Sequence, residues 1–293
     1  MATMPVVVGV DGSEESLRAV EWAAMEAVRH GAPLRVVSAA AMPPRMHVYG
    51  TAPLTVADAL RGASRRALAE AITRSGQVTS ELLIDTDLLT GRPAVAVADS
   101  GAGALMLVVG ARGAGGFATM PLGSVSRYSA MHAACPVVVV REERCAVSRE
   151  VVVGIRDPHD TARTLAFAFE EAALRGTTLV AVHSWYWFPS AFGGLEAEET
   201  AGRTADLAQM STEANRNLAD ALGRWQDKYL GVPVRLDVVR GHPASVLASY
   251  SARADLVVMG RRGGPVTGPA VGAVQHGVLH HARGPVAVVP AEG

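Results

Sequence analysis

Lysine is almost absent from this sequence, since Lys228 is the only lysine among 27 lysine and arginine residues. This scarcity excludes the GxxxxGK[ST] loop of P-loop NTPases, and no such string occurs. The glycine fingerprint of dinucleotide-binding enzymes is also missing. The first predicted turn reads GVDGSE rather than GxGxxG, which argues against a dehydrogenase.

Cysteines and long apolar runs are also scarce, and the net charge is small. Two cysteines, Cys135 and Cys145, make no disulfide framework, so we expect a reducing, cytoplasmic setting. A net charge of −1 gives no basic surface for nucleic acid or an anionic membrane. No apolar run reaches the roughly 18 residues of a membrane span. The N-terminus lacks the charged region and cleavage site of a signal peptide.

What the sequence does contain is an internal repeat over nearly its whole length. Residues 6–39 match residues 151–184, with Glu26 aligned to Glu171. The later string GRPAVAVADSGAGALMLVVGARG matches GHPASVLASYSARADLVVMGRRG. The charged stretch 141–150 is the predicted boundary. It gives two domains of ordinary size, half one (residues 1–146) and half two (residues 147–293).

Each half alternates short valine- and leucine-rich runs with helical patterns. The apolar runs are continuous, which is typical of strands covered on both faces of a parallel sheet. Strand–helix alternation therefore predicts a doubly wound α/β sheet in each half. Residues 42–56 and 186–203 match poorly between the halves, and we interpret them as variable surface segments.

The first helix carries the clearest local signals. Ser13 is placed to cap its N-terminus, and Gly31 is placed to end it. Two glutamates in the first turn suit the helix dipole. One apolar face is predicted, formed by Leu17, Val20, Ala24 and Val28.

A glycine-rich string, GARGAGGFATMPLGSVS, follows the fourth predicted strand from Gly110 to Ser126. Because glycine has no Cβ, such a loop lets backbone N–H groups approach a phosphate. A helix starting near Ser124 would add its dipole, and the hydroxyls of Ser124 and Ser126 would add donors. If strands one and four are neighbours where the winding reverses, Asp11 flanks the same crevice as a ribose or adenine acceptor. A plain turn is the alternative.

This constellation resembles the ATP-binding universal stress proteins. The likeness rests on VVVGVDGS from Val6, the Gly110–Gly113–Gly123–Ser124 spacing and the closing HAACPVVVV, and it extends over both halves, as in tandem actinobacterial members. It implies two Rossmann-like five-stranded parallel sheets of order 3-2-1-4-5, related by a pseudo-twofold axis. It also implies pairing through the last strands, within one chain and in a homodimer, and bound ATP with or without Mg²⁺.

The ATP site expected in half one combines the residues that the resemblance implies with those that the glycine string predicts. They are Gly9, Asp11, Val37, Gly110, Ala111, Arg112, Gly113, Ala114, Gly115, Gly116, Gly123, Ser124, Val125 and Ser126.

Half two departs from this pattern in ways that predict a lost ATP site. Arg156 stands where half one has Asp11, so a donor replaces the acceptor. Its loop has eight residues rather than nine between the aligned glycines. Pro265 and Pro269 remove two backbone N–H donors from this loop. Ala273 and Gln275 stand in place of Ser124 and Ser126, so two hydroxyls are lost. Arg261 and Arg262 could still attract an anion.

The expected function is ATP-dependent regulation through an unidentified protein partner, without enzymatic turnover. The glycine string contains no carboxylate for a metal, and Arg112 is its only cation. The alternatives are a slow ATPase or other nucleotide-processing enzyme in the same crevice, and a nucleotide-free scaffold. His276 and His280 stand four residues apart, but no nearby cysteine or carboxylate completes a metal set.

Overall fold

The computed structural model describes residues 3–41, 52–79, 81–115, 122–141, 148–156, 162–185, 212, 216, 218–261 and 272–291. Half one forms strands β1 (Val6–Gly9), β2 (Leu34–Ala41), β3 (Ile84–Gly91), β4 (Met106–Gly110) and β5 (Val137–Val140). Its helices are α1 (Glu14–His30), α2 (Ala52–Val78), α3 (Pro93–Asp99) and α4 (Ser124–His132).

Half two repeats this order of elements. Its strands are β6 (Glu150–Gly154), β7 (Thr178–Trp185), β8 (Val234–Arg240), β9 (Leu256–Gly260) and β10 (Val286–Val289). Its helices are α5 (Ala162–Arg175), α6 (218–228 in its continuous described part), α7 (Pro243–Ser251) and α8 (Ala273–His281).

The ten strands form one sheet in the order β3-β2-β1-β4-β5-β10-β9-β6-β7-β8. Within each half the strands are parallel and follow the expected order 3-2-1-4-5. The halves join where β5 and β10 pair antiparallel, with Val138 opposite Ala287. This joint confirms the predicted pairing of the last strands within one chain. A homodimer of two chains stays a prediction.

Two apolar layers cover the sheet, one on each face. Val6 and Val8 of β1 belong to one layer and Val7 to the other, and all three are fully buried. Helices α1, α2, α5 and α6 cover the first face, and α3, α4, α7 and α8 cover the second. The continuous valine runs therefore arise because both side-chain rows of each central strand are buried, as expected.

Helix α1 has the predicted caps. The Ser13 hydroxyl accepts from the N–H of Ser16 at 3.2 Å, and Gly31 ends the helix in the left-handed conformation at φ 59°. The predicted apolar face is wrong at one position, because Val28 is 52% exposed while the neighbouring Ala27 is fully buried. The small alanines bring α1 close to the sheet along a stripe centred nearer Ala27, which leaves Val28 at its margin. The other three predicted positions are buried, namely Leu17, Val20 and Ala24.

Several predicted features fall outside the described residues. Residues 42–51 and 186–203 are among them, whereas 52–56 begin α2. Residues 142–147, which contain the predicted boundary, are also outside, so the division at 146/147 stays a prediction. Within the described ranges, every helix falls short of the length or the apolarity that a bilayer crossing requires.

Where the halves meet, α1 and α5 bury four ionisable side chains. The imidazole Nε2 of His30 lies 2.9 Å from Glu171 Oε1, and Arg175 Nη2 lies 2.8 Å from Glu26 Oε1. Arg175 also pairs with Glu171 on its own helix. Glu26 and Glu171 are equivalent in the repeat, and so are His30 and Arg175. The two ion pairs thus cross the pseudo-twofold joint, and we call these four residues the interface cluster.

Three members of this cluster offer ligand atoms within 4.8 Å of one another, which is the geometry of a metal site. However, the guanidinium of Arg175 contacts both carboxylates, and that of Arg29 contacts Glu26. A metal ion would have to be accommodated beside these cations. The cluster is therefore better explained as ion pairing between the halves.

Candidate functional site

A cavity of about 470 Å³ opens where the winding of half one reverses. Strand β1 lies between β2 and β4, and Gly9 pairs with Val109, so Asp11 and Gly110 stand side by side at the carboxyl ends of their strands. This is the place where open α/β sheets bind ligands. The volume lies within the roughly 300–1,000 Å³ of small-molecule sites.

Most residues expected at an ATP site line this cavity. Those brought together are Gly9, Asp11, Gly110, Arg112, Gly113, Gly115, Gly123, Ser124, Val125 and Ser126. Val37 and Ala111 are instead buried in the apolar layer behind it, and Ala114 contributes a backbone N–H to the Asp11 carboxylate. Gly116 lies outside the described residues.

The sequence did not indicate that apolar residues outside the glycine string also line the cavity. They include Ala39 at the end of β2 and Pro93 and Val97 of α3. One signal was available, because both halves carry a Gly-x-Pro turn ahead of this short helix, at Pro93 and Pro243. These three residues add apolar surface to the lining of the cavity.

Asp11 ties the start of α1 to the glycine loop. Its Oδ1 accepts from the backbone N–H of Ser13 at 3.0 Å and from the Ser13 hydroxyl at 2.6 Å. Its Oδ2 accepts from the backbone N–H of Ala114 at 2.8 Å. A carboxylate has about four acceptor positions, so one remains for a ligand hydroxyl.

Close approaches within the protein require glycine at position 110 and favour it at position 113. A Cβ added at Gly113 would overlap Asp11 Oδ2, and one at Gly110 would lie 2.8 Å from the Glu15 carbonyl oxygen. The second contact lets α1 pack against the end of β4. Glycine at 113 thus leaves space for the Asp11 carboxylate, in addition to the predicted approach of a phosphate.

Glu15 holds Arg112, a contact that bridges 97 residues of sequence. Oε2 of Glu15 accepts the backbone N–H of Arg112 at 2.7 Å, and Oε1 accepts its side-chain Nε at 2.7 Å. The sequence pointed to Glu15 only as a first-turn acid suited to the helix dipole. In the structure it fixes the residue that opens the glycine loop.

Helix α4 begins at Ser124, as predicted, with Gly123 as its N-cap. The N–H groups of a first helical turn have no acceptor within the helix, so those of α4 are donors for an anion in the cavity. Ser124 is exposed there. The buried Ser126 also lines the cavity, and its hydroxyl donates to the carbonyls of Gly110 at 2.7 Å and Ala111 at 3.0 Å. These bonds fasten α4 to β4.

The equivalent contact survives in half two despite the change of residue. The side-chain amide of Gln275 donates to the Gly260 carbonyl at 2.7 Å, as Ser126 does to Gly110. Arg261, which could have attracted an anion, donates across the joint to the Ala133 carbonyl at 2.8 Å. Burial and the nearby charge of Arg163 lower the pKa of Arg261. Residues 262–271, with both prolines, lie outside the described residues.

Comparison with known proteins agrees with this architecture. Residues 3–141 and 148–290 each match the model of the universal stress protein family. Universal stress protein Rv2005c of Mycobacterium tuberculosis is 35% identical over 296 residues, covering 97% of this chain and 96% of the relative. Rv2623 of the same species is 30% identical over 306 residues, covering 98% and 96%.

A solved structure shows the same fold over both halves. The crystal structure of a universal stress protein from Archaeoglobus fulgidus covers 99% of this chain and 97% of its own, with a TM-score of 0.69 at 19% identity. The matched relatives are tandem proteins of mycobacteria, which confirms the resemblance found in the sequence. The chain belongs to the universal stress protein family and carries two of its domains in tandem.

Proposed function

We propose that half one binds one ATP in the crevice between β1 and β4, and that the protein is a nucleotide-dependent regulator rather than an enzyme. The observation that supports this most is the meeting of three features at one cavity. These are the glycine loop, the start of α4 and the Asp11 carboxylate. Together they offer donors for phosphates and an acceptor for ribose hydroxyls.

The cavity lining combines two kinds of surface that suit the two parts of ATP. Gly113, Gly115 and the first turn of α4 provide backbone N–H groups, which favour the phosphates. Ala39, Pro93 and Val97 provide apolar surface, which favours the adenine ring. Asp11 stands between the strand ends, where its free acceptor position can meet the ribose.

Half two lacks the same combination. Arg156 replaces the acceptor Asp11, and Ala273 replaces the hydroxyl of Ser124. Arg261, its described cation after β9, is engaged by half one. We therefore place ATP in half one alone.

One ATP per chain is the expected stoichiometry. Full-length protein stripped of nucleotide is titrated calorimetrically with ATP, with and without Mg²⁺, and nucleotide released from denatured protein is counted independently. One equivalent supports the proposal. Two equivalents would place ATP in half two as well, and none would favour a nucleotide-free scaffold.

The described residues of the cavity supply little of what phosphoryl transfer requires. Phosphoryl transfer needs a metal clamp, a cation on the leaving oxygens and an oriented nucleophile. Among the described residues that line the cavity, Asp11 is the only carboxylate and Arg112 the only cation. Asp11 is held by Ser13 and Ala114, and Arg112 is held by Glu15. The arrangement favours ATP that stays chemically intact while it is bound, as a ligand that alters the surface offered to a partner.

Turnover is therefore expected far below the usual enzymatic range of about 1–10³ per second. The measurement is multiple-turnover phosphate release with Mg²⁺, comparing the wild type with the Gly113→Glu variant. Release at about one per second or faster, lost in the variant, would make the protein an ATPase that uses this crevice.

A further inference from the structure

Arg112, the cation among the described residues that line the crevice, forms an ion pair with the carboxylate of Glu15. Nη2 of Arg112 lies 2.6 Å from Glu15 Oε1, in addition to the bonds from Nε and from the backbone N–H. The Arg112 side chain is 35% exposed and lines the cavity, whereas that of Glu15 is 15% exposed and does not. The guanidinium can therefore turn toward a bound anion, while the carboxylate stays with α1.

A nucleotide with a long phosphate chain must compete with Glu15 for this guanidinium. Hydrogen bonds of a guanidinium to carboxylate and to phosphate are of similar strength, so the exchange is close to balanced. A triphosphate carries more charge and extends farther along the loop than a monophosphate. Hence the ion pair between Glu15 and Arg112 lowers the affinity for ATP much more than the affinity for AMP.

Resting on the proposed nucleotide site, we propose that Glu15 is a specificity-determining residue that holds Arg112 and thereby limits the preference of the site for ATP over AMP. A limited preference lets the bound nucleotide change with the balance of the two in solution, instead of saturating with ATP. The function of Glu15 would then be to keep the site responsive.

The test compares ATP and AMP affinities of the full chain by calorimetry for wild type, Glu15→Gln, Arg112→Gln and the double variant. The glutamine carbonyl can still accept the backbone N–H of Arg112, so the loop keeps that support while the ion pair between Glu15 and the guanidinium is lost. We expect Glu15→Gln to raise the ATP/AMP affinity ratio roughly three- to tenfold, more at low ionic strength. In the Arg112→Gln background the same change should have no effect on the ratio.

Glu14→Gln is the matched control. Glu14 occupies the same first turn, but its carboxylate pairs with Arg74 at 3.2 Å, away from the loop. This variant removes the same charge and leaves Arg112 held, so the ratio should stay within about twofold, the size of a weak surface effect.

Three outcomes would overturn the inference while leaving the ATP site intact. They are unchanged affinities for both nucleotides in Glu15→Gln, an equal loss of both affinities, and an effect on the ratio that persists without Arg112. Equal losses would assign Glu15 to loop support alone. A wild type that binds neither nucleotide would instead overturn the proposed function, and the inference with it.

Discussion

Gly113→Glu is expected to lower the affinity of half one for ATP at least about a hundredfold, a loss of ~2.7 kcal/mol of binding free energy. The new Cβ would overlap Asp11 Oδ2, so the carboxylate would have to leave its bond with Ala114. The added carboxylate would also stand beside Asp11 and the phosphates, where like charges repel. The measurement is calorimetric titration with ATP.

The control for this variant is Gly263→Glu, at the equivalent glycine of half two. It makes the same change of charge and size in a half that is proposed to bind no ATP, so affinity and stoichiometry should be unchanged. Gly113→Ala separates bulk from charge, and we expect a loss of about tenfold, because the Cβ alone displaces Asp11. Affinity of Gly113→Glu within a few-fold of wild type would place the phosphates elsewhere.

The crevice could be predicted because its parts follow local rules. A glycine string after a strand, a helix start at Ser124 and a carboxylate at Asp11 are each visible within a few residues. The sheet order that the resemblance implies then brings Asp11 beside Gly110. Local rules do not give every bond of these residues, since the hydroxyl of Ser126, predicted as a donor in the first turn of α4, donates to the carbonyls of Gly110 and Ala111. A hydroxyl there can equally donate backward to a carbonyl, and the burial that decides this comes from packing.

Such local rules could not predict contacts between side chains that are far apart in the sequence. Glu14 and Glu15 both look like first-turn acids suited to the helix dipole. Only the packing of α1 against β4 sends Glu15 to Arg112 and Glu14 to the surface. Likewise, the sequence indicated the change from Ser126 to Gln275 in half two only as a lost hydroxyl. It did not show that both side chains donate to the carbonyl at the end of the preceding strand, which accommodates either donor.

The interface cluster also could not be predicted from local sequence, because its residues come together only when the two halves pair. The repeat displays Glu26 and Glu171 at equivalent positions within otherwise apolar helix faces. That signal marks both residues as unusual, but only the antiparallel joint of β5 and β10 brings them together. His30 and Arg175 lie in the last turns of their helices, where the dipole alone would account for a cation.

Protonation links this cluster to the stability of the chain. Burial lowers the pKa of His30, but its hydrogen bond to Glu171 and that residue's charge outweigh burial and raise the pKa above 6.5. Burial likewise raises the pKa of Glu171, and its bonds with His30 and Arg175 outweigh it and hold the pKa below 4.5. The bond between His30 and Glu171 thus favours the charged form of both residues.

The sign of the pH dependence follows from these two directions. The His30 contribution is fully present below pH 6.5 and is lost as the pH rises through its raised pKa. The Glu171 contribution is present above pH 4.5 and is lost as the pH falls through its lowered pKa. The pair therefore stabilises the chain most between about pH 4.5 and 6.5, and its contribution declines at alkaline pH.

Glu171→Gln is expected to lower the free energy of unfolding by about 3–5 kcal/mol, the usual cost of removing one partner from a buried ion pair. Arg175 and His30 would keep positive charges in a buried site, with only Glu26 to balance them. The measurement is urea unfolding of the full chain at pH 6 and pH 8.5, with Glu170→Gln as control. Glu170 precedes Glu171 on α5 and is exposed, so its loss should cost no more than about 0.5 kcal/mol.

The pH comparison shows whether the effect arises from the ion pair or from packing. Without Glu171, the His30 pKa should fall, because the bond that raises it is gone. The variant should therefore show a larger deficit relative to wild type at pH 6 than at pH 8.5, where His30 of the wild type carries less charge. A deficit below about 1 kcal/mol at both pH values would show that the cluster contributes little to the joint. A large deficit equal at both would assign the effect to Arg175 and packing, and His30 would have no part in holding the halves together.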